Sequence, residues 1–442
     1  MVQSKRSDGV RPVAMITSNF WPEQTGTSQT LSEFACFLAA SGVPVRVATA
    51  MPYYPQWRIW PEYRGHLWST DREGDLTVFR SWHFVRPRPS TMSRMLHEGT
   101  LSLFGLPRII AALRGAGVVY VASPDLSYAF VGMLVARFFP VRRVLIVKDV
   151  MPDSAVELGM LRNRWLIAIS RLLARLVYRW AHEIHTLSQG MRSRIAQQTG
   201  TPEKIRIVPD TIDPSEMQPV AAEQNEFRRR YVPAGTFAVL HTGNMGKKQD
   251  LQMLLRAARR LHEDPAVHFY VFGEGAVKDV FLNTIKAWDL QNVSHFPLQD
   301  RRMVAHMLSG ADLVLVSQMA EVVDIMVPSK LITALGAGAM VVAACAPESE
   351  TAHLINAAQT GLLIGAGDDV GLVKVIGRIR AGDVDTEAYR RRARLFALQY
   401  FDRKAVYGPL VEEHRNGSKS RKVSLSGHPT SKAQFSIEER ES

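Results

Sequence analysis

Glycines and lysines come together in HTGNMGKKQDLQMLL, residues 241–255, where a strand is predicted to give way to an amphipathic helix. Gly243 and Gly246 allow another group to approach the backbone closely. Lys247 and Lys248 are predicted to lie in the first helical turn, where two cations oppose the helix dipole unless an anion is bound. The segment therefore predicts a phosphate-binding turn, and two solvated lysines on a polar loop are the alternative.

A second segment of the same kind is VPSKLITALGAGAMVV, residues 327–342. Pro328 is tolerated at a helix start, and Ser329 can cap the helix. Lys330 then lies in the first turn, at the positive end of the helix dipole, a position that a bound diphosphate favours. Capping and close packing explain the other residues but not the lysine. Two such segments in one half of the chain indicate a nucleotide-linked substrate and hence an enzyme.

Two loops in the first half of the chain are further candidates. In MITSNFWPEQTGTSQ, Gly26 precedes a predicted helix that begins near Thr27, and a simple capped turn is the alternative. In VLIVKDVMPDS, a buried strand ends at Lys148 and Asp149, and ligands bind at the carboxyl ends of strands in open α/β sheets. Asp149 is therefore a candidate for orienting a sugar hydroxyl or for proton transfer, with a helix cap as the alternative.

The segment FYVFGEGAVKD contains a predicted strand that ends at Gly273, Glu274 and Gly275. It lacks the full Gly-x-Gly-x-x-Gly spacing of dinucleotide-binding folds, and the sequence has no P-loop that ends in Gly-Lys-Ser or Gly-Lys-Thr. These patterns disfavour a dehydrogenase and a P-loop kinase. The sequence contains no convincing nucleophilic triad or metal-ligand cluster, so neither a cofactor nor a metal ion is expected.

Short β-branched runs alternate with longer helical patterns, which predicts α/β domains with parallel sheets. A stretch rich in Pro and Asp at 210–219 separates two such series. We predict a first domain over residues 1–212, a second over 213–385, C-terminal helices over 386–414 and a disordered tail over 415–442. The predicted strands are 13–18, 43–49, 76–80, 118–122, 144–149, 183–187, 205–209, 237–242, 267–272, 293–296, 313–317 and 340–344.

Composition limits the classes of protein to consider. A chain of 442 residues with 46% hydrophobic and 22% charged residues is typical of a globular protein with two domains. Cys36 and Cys345 are the only cysteines, and their apolar sequence neighbours disfavour a disulfide framework or a zinc site, so a reducing cytoplasmic compartment is expected. The net charge of +12 predicts an anionic partner. Nucleic acid, an anionic membrane surface and phosphorylated substrates are the candidates.

One helical segment, LRNRWLIAISRLLARLVYRWAHEIH, residues 161–185, carries Arg171, Arg175 and Arg179 at a spacing of four residues. The broad remaining face is predicted to carry Trp165, Ile169, Leu172, Leu173, Leu176 and Trp180. A basic amphipathic helix of this kind can lie on an anionic bilayer, although packing on a sheet is the commoner role. Residues 93–115 form a second candidate for membrane contact. The arginine clusters at 228–230 and 390–392 lack interleaved aromatic residues, so no nucleic-acid partner is expected.

The motifs PEQTG, VKDVMPDS, GNMGKKQDL, FGEG and PSKLITALGAG, in this order, resemble those of the retaining, GT-B fold glycosyltransferases of family 4. Within that family the chain resembles the exopolysaccharide branch, which includes the colanic acid fucosyltransferase and N-acetylfucosaminyl transferases. The resemblance implies two Rossmann-like domains with parallel sheets that face a central cleft. It implies that the nucleotide sugar binds mainly to the second domain and that the C-terminal helices cross back onto the first. It also implies transfer of a sugar from a GDP- or UDP-linked donor without a catalytic metal. Together with this resemblance, the net charge of +12 and the two candidate segments for membrane contact predict a polyprenyl-diphosphate-linked saccharide acceptor and peripheral attachment to the inner face of the cell membrane.

The resemblance assigns expected roles to the candidate residues. Gly26 and Thr27 match the donor-phosphate loop, Asp149 matches the polar residue near the reacting sugar, and Glu274 lies in the turn near the nucleotide base. Asp149 and Lys330 are the expected catalytic residues, and Arg171, Arg175 and Arg179 are expected at the acceptor or the membrane. The residues expected to bind the donor are Gly26, Thr27, Gly243, Asn244, Lys247, Lys248, Gly273, Glu274, Ser329, Lys330 and Thr333.

The sequence departs from the family pattern at four positions. Asn244 and Gln249 stand where many members carry Arg and Lys, and Ile325 and Thr333 stand where the family has a pair of glutamates. We expect Lys330 and the two lysines of the first segment to neutralise the diphosphate instead. The alternative function is a catalytically silent GT-B partner subunit of a membrane-associated glycosyltransferase.

Overall fold

The computed structural model describes residues 10–23, 26–87, 90–123, 125–157, 161–322 and 329–416. These residues form two compact units. The first contains the chain up to Pro209 and again from Val406, and the second contains Asp210–Ala405. Both units consist of a largely parallel sheet and crossover helices, as the alternating pattern predicts.

The first unit has an eight-stranded sheet in the order β3-β4-β2-β1-β5-β6-β7-β8. Its strands are β1 (Val13–Ile16), β2 (Val45–Ala50), β3 (Trp68–Glu73), β4 (Leu76–Ser81), β5 (Val118–Ser123), β6 (Arg142–Val147), β7 (Glu183–Thr186) and β8 (Ile205–Ile207). Its helices are α1 (Thr27–Ala40), α2 (Thr91–Leu113), α3 (Leu126–Ala136), α4 (Asp153–Glu157), α5 (Arg164–Trp180) and α6 (Gln189–Thr199).

The second unit has a six-stranded parallel sheet in the order β11-β10-β9-β12-β13-β14. Its strands are β9 (Phe237–Asn244), β10 (Val267–Glu274), β11 (Val293–Phe296), β12 (Leu313–Ser317), β13 (Val341–Cys345) and β14 (Gly361–Gly365). The helices that follow along the chain are α7 (Glu226–Tyr231), α8 (Leu251–Arg260), α9 (Lys278–Ala287), α10 (Arg301–Gly310), α11 (Ser329–Gly336), α12 (Glu350–Ala358), α13 (Asp369–Arg380), α14 (Thr386–Tyr400) and α15 (Arg403–Arg415).

Two strands of the structure are absent from the sequence-based prediction. β3 pairs with β4 in the antiparallel sense, so the first sheet is mixed rather than wholly parallel. Its sequence, WSTDRE, is polar and largely exposed, as suits an edge strand that must resist pairing with another chain. β14, with the sequence GLLIG, is an edge strand of the second sheet and is only half-buried. Edge strands lack the continuous apolar run from which the buried parallel strands were predicted.

The end of the described chain returns to the first unit. Tyr407 packs its ring on Phe34 of α1 with a centroid distance of 4.8 Å, and Glu413 accepts a hydrogen bond from Arg206 at 2.7 Å. By contrast, α14 packs on α11 within the second unit. Of the two predicted C-terminal helices, only the part from Val406 therefore returns. The predicted tail at 415–442 lies outside the described residues after Asn416.

The two cysteines differ in their surroundings. Cys345 is buried in β13, as expected, but Cys36 is exposed on α1, contrary to the apolar setting that its neighbours suggested. None of the described helices is long and apolar enough to cross a membrane.

Candidate functional site

The turns that follow β9 and β10 pack directly on each other at the carboxyl edge of the second sheet. Gly273 pairs in register with Gly243, and a Cβ atom at Gly273 would collide with the Gly243 carbonyl oxygen and lie 2.8 Å from Met245 Cγ. At Gly275, where φ is +152°, a Cβ atom would lie 2.6 Å from Asn244 Oδ1. The Met245 N–H donates to the Glu274 carbonyl at 2.8 Å. The two glycines of FGEG are therefore needed for contact between the two turns.

Lys330 extends from the first turn of α11 to this pair of turns. Its Nζ lies 3.4 Å from Nε2 of His241 in β9. The Nζ and Cε atoms would lie 4.0 and 3.8 Å from a Cβ placed on Gly243, whose φ is +109°. The end of the lysine therefore lies beside a glycine whose backbone is open to a ligand. The sequence analysis placed Lys330 and Gly243 in separate segments, and the structure brings them together.

The environment of this lysine is unusual for a cation. The Lys330 side chain is partly buried, and desolvation lowers its pKa to about 7. His241 is fully buried, and burial together with the Lys330 cation holds the pKa of its imidazole well below the usual range. His241 is therefore neutral near pH 7. An anion beside Lys330 would favour its charged form and raise its pKa again.

Lys247 and Lys248 are placed differently from the prediction. α8 begins at Leu251, and the Asp250 side chain caps it by accepting from the Met253 N–H at 3.0 Å. Both lysines therefore belong to the turn before the helix, and the prediction of a first-turn position is wrong. The Lys247 side chain is exposed, and the Lys248 carbonyl accepts from the Met319 N–H at 2.9 Å.

One of the two departures from the family pattern in this turn has a structural role. The Gln249 Oε1 atom accepts from the Gly246 N–H at 2.9 Å and so closes the turn, which a lysine could not do. Asn244 is exposed at the end of β9.

The remaining candidates of the second unit lie around the same edge. Glu274 ends β10 and forms an ion pair with Lys278 of α9 at 2.7 Å. Ser329 is exposed at the start of α11, and Thr333 donates its hydroxyl to the Ser329 carbonyl at 2.9 Å. Thr333 therefore serves the helix backbone and supplies no carboxylate. The position of the first family glutamate, Ile325, lies outside the described residues.

In the first unit, Gly26 and Thr27 lie at a helix start, as predicted. α1 begins at Thr27, and Gly26 precedes it with φ +59° and no side-chain cap. The loop is anchored by Glu23, a buried carboxylate that the sequence analysis did not consider. One Glu23 oxygen accepts from the Tyr53 and Tyr54 N–H groups at 2.7 and 2.8 Å. Burial raises the pKa of the Glu23 carboxyl, and these two bonds oppose that shift.

Asp149 lies two residues after β6, at the carboxyl edge of the first sheet, and is partly buried. Its neighbour Lys148 lines a cavity in the first unit together with His185 and Tyr407. Asp149 belongs to the first unit and Lys330 to the second. The structure thus places each predicted catalytic residue at the carboxyl edge of its own sheet, which is where ligands bind in open α/β folds.

The α5 arginines lie on the surface, as predicted for a basic helix. Arg171, Arg175 and Arg179 are exposed, and Arg171 forms an ion pair with Asp153 at 3.5 Å. None of the apolar residues predicted beside them is fully buried: Trp165, Ile169 and Leu172 are exposed, and Leu173, Leu176 and Trp180 are half-buried. The buried residues of α5 are Ala174, Val177 and Tyr178, which the predicted face did not include.

Across the residues that the structure describes, no group of His, Cys, Asp or Glu side chains could hold a metal ion.

Comparison with known families identifies both units. A glycosyl transferase 4-like domain matches residues 25–211, and a glycosyl transferases group 1 domain matches residues 223–395. The putative colanic acid biosynthesis glycosyl transferase WcaI of Escherichia coli K12 is 30% identical over 333 residues, which cover 74% of this chain and 81% of that protein. The chain belongs to the family 4-like glycosyltransferases.

Solved structures of low sequence identity share the fold of this glycosyltransferase. Sucrose-phosphate synthase of Thermosynechococcus elongatus matches with a TM-score of 0.70 at 15% identity, over 92% of this chain and 98% of that one. HepE of Anabaena in complex with UDP and glucose matches with a TM-score of 0.68 at 15% identity, over 92% and 100%. WaaG, of lipopolysaccharide biosynthesis, matches with a TM-score of 0.64 at 16% identity, over 92% and 100%. The predicted GT-B fold and glycosyltransferase class are confirmed.

His241 and Glu23 are the residues of these loops that the sequence analysis missed. His241 lies within a predicted strand and Glu23 in the loop after another, and nothing in the spacing of either residue distinguishes it from a solvent-facing residue. The available signal is position: His241 lies two residues before Gly243, at the end of the strand that leads into GNMG.

Proposed function

We propose that this glycosyltransferase moves a sugar, with retention of anomeric configuration, from a nucleotide-diphosphate donor to a polyprenyl-diphosphate-linked saccharide in bacterial exopolysaccharide or surface-polysaccharide biosynthesis. The observation that carries the proposal is the position of Lys330, whose ammonium lies beside the open backbone of Gly243 at a helix start. The relative WcaI supports the polysaccharide context, and the UDP complexes of HepE support the nucleotide.

The chemistry asked of the protein is mainly electrostatic. In front-face transfer, the bond from the sugar to the diphosphate breaks as the acceptor hydroxyl attacks, and the departing diphosphate takes the hydroxyl proton. Lys330 and the N–H groups of the first α11 turn stabilise the charge that develops on the diphosphate. Asp149 orients the acceptor hydroxyl. No step of this mechanism requires a metal ion or a protein nucleophile.

Calorimetry of the purified protein with a panel of UDP-, GDP- and dTDP-sugars tests the donor. We expect one nucleotide class to bind, either UDP or GDP, and binding to none of the panel would contradict the proposal. The same experiment identifies the base, which we expect Glu274 at the end of β10 to contact.

The silent-subunit alternative is favoured by one observation, the absence of a carboxylate at Thr333, whose hydroxyl is bonded to the Ser329 carbonyl. Glu321 is exposed in the loop before α11, and Asp324, the other nearby carboxylate, lies outside the described residues. Release of nucleotide from the bound sugar donor by the purified chain distinguishes the two functions. Donor binding without release or transfer, in the presence of a lipid-linked acceptor, would establish the silent subunit.

The surface of the first unit suits contact with the anionic inner face of the cell membrane, to which we propose that this cytoplasmic protein binds peripherally. Trp165, Ile169 and Leu172 repeat at helical spacing on α5 with 68, 54 and 54% of their surface exposed. The same helix carries the exposed arginines Arg171, Arg175 and Arg179. α3 packs against both α5 and α2, and α2 carries a second apolar row. That row consists of Met92, Met95, Leu96, Leu103 and Leu106, each at least 38% exposed.

Replacing Trp165, Ile169 and Leu172 together by serine should weaken binding to anionic vesicles by at least about 10-fold, since three apolar side chains no longer enter the bilayer. Flotation with phosphatidylglycerol-containing vesicles measures the effect at low salt. The matched control replaces Val280, Val370 and Leu395, exposed apolar residues of the second unit, by serine. Equal flotation of both variants and the wild type, or no flotation of the wild type, would contradict the proposed membrane face.

A further inference from the structure

His241 occupies an uncommon position for a titratable residue. It lies within β9, the strand between β10 and β12 in the second sheet, and is fully buried. Its Nε2 atom is 3.4 Å from the Lys330 Nζ atom. The two residues are 89 positions apart in sequence, so the contact depends on the packing of α11 against β9.

We propose that His241 is the positioning residue of the donor site. Its neutral imidazole accepts a hydrogen bond from the Lys330 side chain in the empty enzyme and holds the amine beside Gly243, where the donor diphosphate binds. The inference rests on the proposed function, because it assumes that a nucleotide diphosphate occupies this edge of the sheet. His241 acts on the donor through Lys330 and does not itself touch the substrate.

The direction of the hydrogen bond follows from the protonation states. Burial and the neighbouring cation keep the pKa of His241 well below its usual range, so one ring nitrogen is unprotonated near pH 7. A charged lysine has donors and no acceptor, so when Lys330 is charged Nε2 is the acceptor and the ring proton lies on Nδ1. In this arrangement His241 orients Lys330 without competing for the negative charge of the ligand.

Few other charges face this pair among the described residues. The turn after β9 contributes Lys247 and Lys248, and β10 contributes Glu274, whose carboxylate is already paired with Lys278 of α9. β12 has the sequence LVLVS and contributes no titratable side chain. α11 contributes Lys330 itself. The donor phosphates are thus the principal anionic partner available to this lysine.

The arrangement couples donor binding to proton uptake. In the empty site the pKa of Lys330 is about 7, so at pH 8.5 the amine is mostly neutral. A bound diphosphate favours the ammonium form and raises this pKa, so the complex takes up a proton from solution. Binding should therefore weaken as the pH rises above about 7, toward a limit of 10-fold for each pH unit when one proton is taken up.

Calorimetric titration with UDP and with GDP at pH 8.5, in two buffers of different ionisation enthalpy, measures the proton uptake. At this pH both nucleotides are fully ionised, so uptake reports on the protein. We expect the wild type to take up close to one proton for each nucleotide bound. Lys330→Arg, whose guanidinium remains charged at this pH, should bind the nucleotide with no uptake.

Two His241 variants test the positioning role. His241→Leu should weaken nucleotide binding by about 10-fold, the effect of one hydrogen bond to a charged group. His241→Gln keeps an acceptor near the Nε2 position and should recover most of that loss. His268→Leu is the matched control: it alters a half-buried histidine of β10 that bonds Ser294 at the other end of the strand. Thermal unfolding of all variants separates lost binding from lost folding.

The outcomes are distinct. If the wild type binds nucleotide without taking up a proton, the role of His241 is overturned and the proposed function stays in place. The same holds if His241→Leu binds nucleotide as tightly as the wild type. Failure of the folded wild type to bind either nucleotide overturns the proposed function, and this inference with it.

Discussion

Lys330→Met should reduce donor-dependent transfer by about 100-fold or more, the scale observed when one preorganised donor to a developing oxyanion is removed, and should also weaken donor binding. Methionine keeps an unbranched stem beside Gly243 and removes the charge together with the hydrogen bond to His241. Calorimetry with the nucleotide of the preferred donor and nucleotide release from the sugar donor measure the two effects.

The same substitution should not destabilise the protein. Desolvation lowers the pKa of Lys330 in the folded state to about 7, well below its value in the unfolded chain. Between about pH 7 and 10 the unfolded state therefore binds more protons, and the unfavourable contribution of Lys330 to stability diminishes as the pH rises. At pH 7 the methionine variant should melt at the same temperature as the wild type or higher.

Lys374→Met serves as the control for this prediction. Lys374 is exposed on α13 of the second unit, and its replacement should change neither binding nor melting temperature by a measurable amount. Wild-type kinetics in Lys330→Met would remove Lys330 from the site. A melting temperature several degrees lower would show that the lysine has a structural role.

The buried parallel strands were predictable because each is a continuous apolar run between turn residues. β11 and β12 have the predicted bounds, and the other predicted strands differ from the structure by one or two residues at their ends. The polar edge strand β3 was not predictable in this way. Its position depends on antiparallel pairing with β4, and a tertiary contact of this kind leaves no hydrophobic pattern in the sequence.

In the candidate site, too, contacts between distant parts of the chain were not predictable from the sequence. Gly243, Gly273 and Lys330 were recognisable from residue type and local spacing. Their convergence, and the part of His241 in it, depends on the register of β9 with β10 and on the packing of α11. The exposed apolar residues of α5 are a second example. A periodic pattern predicts one apolar face but does not show which part of that face the fold covers.

Gly273→Ala should impair both folding and donor binding. The added Cβ would collide with the Gly243 carbonyl oxygen and approach Met245 Cγ to 2.8 Å. Because the carbonyl belongs to the neighbouring strand, the backbone must shift, and such overpacking costs about 1–3 kcal/mol in the free energy of unfolding. The shift separates the FGEG turn from GNMG, so nucleotide binding should fall by about 10-fold or more, as expected when a preorganised site is displaced by about 1 Å.

Chemical denaturation and calorimetry test this prediction, with Gly377→Ala as the matched control. Gly377 lies in the exposed face of α13, where an added Cβ would meet no atom within 4 Å. Alanine is favoured over glycine inside a helix by about 1 kcal/mol, so the control should be at least as stable as the wild type and should bind nucleotide normally. Replacing glycine by alanine is thus expected to lower the free energy of unfolding at position 273 and to raise it or leave it unchanged at position 377. The reason is that only Gly273 is in contact with a neighbouring backbone. A Gly273→Ala protein with wild-type stability and affinity would mean that the β9 and β10 turns tolerate separation, and that Lys330 alone determines the site.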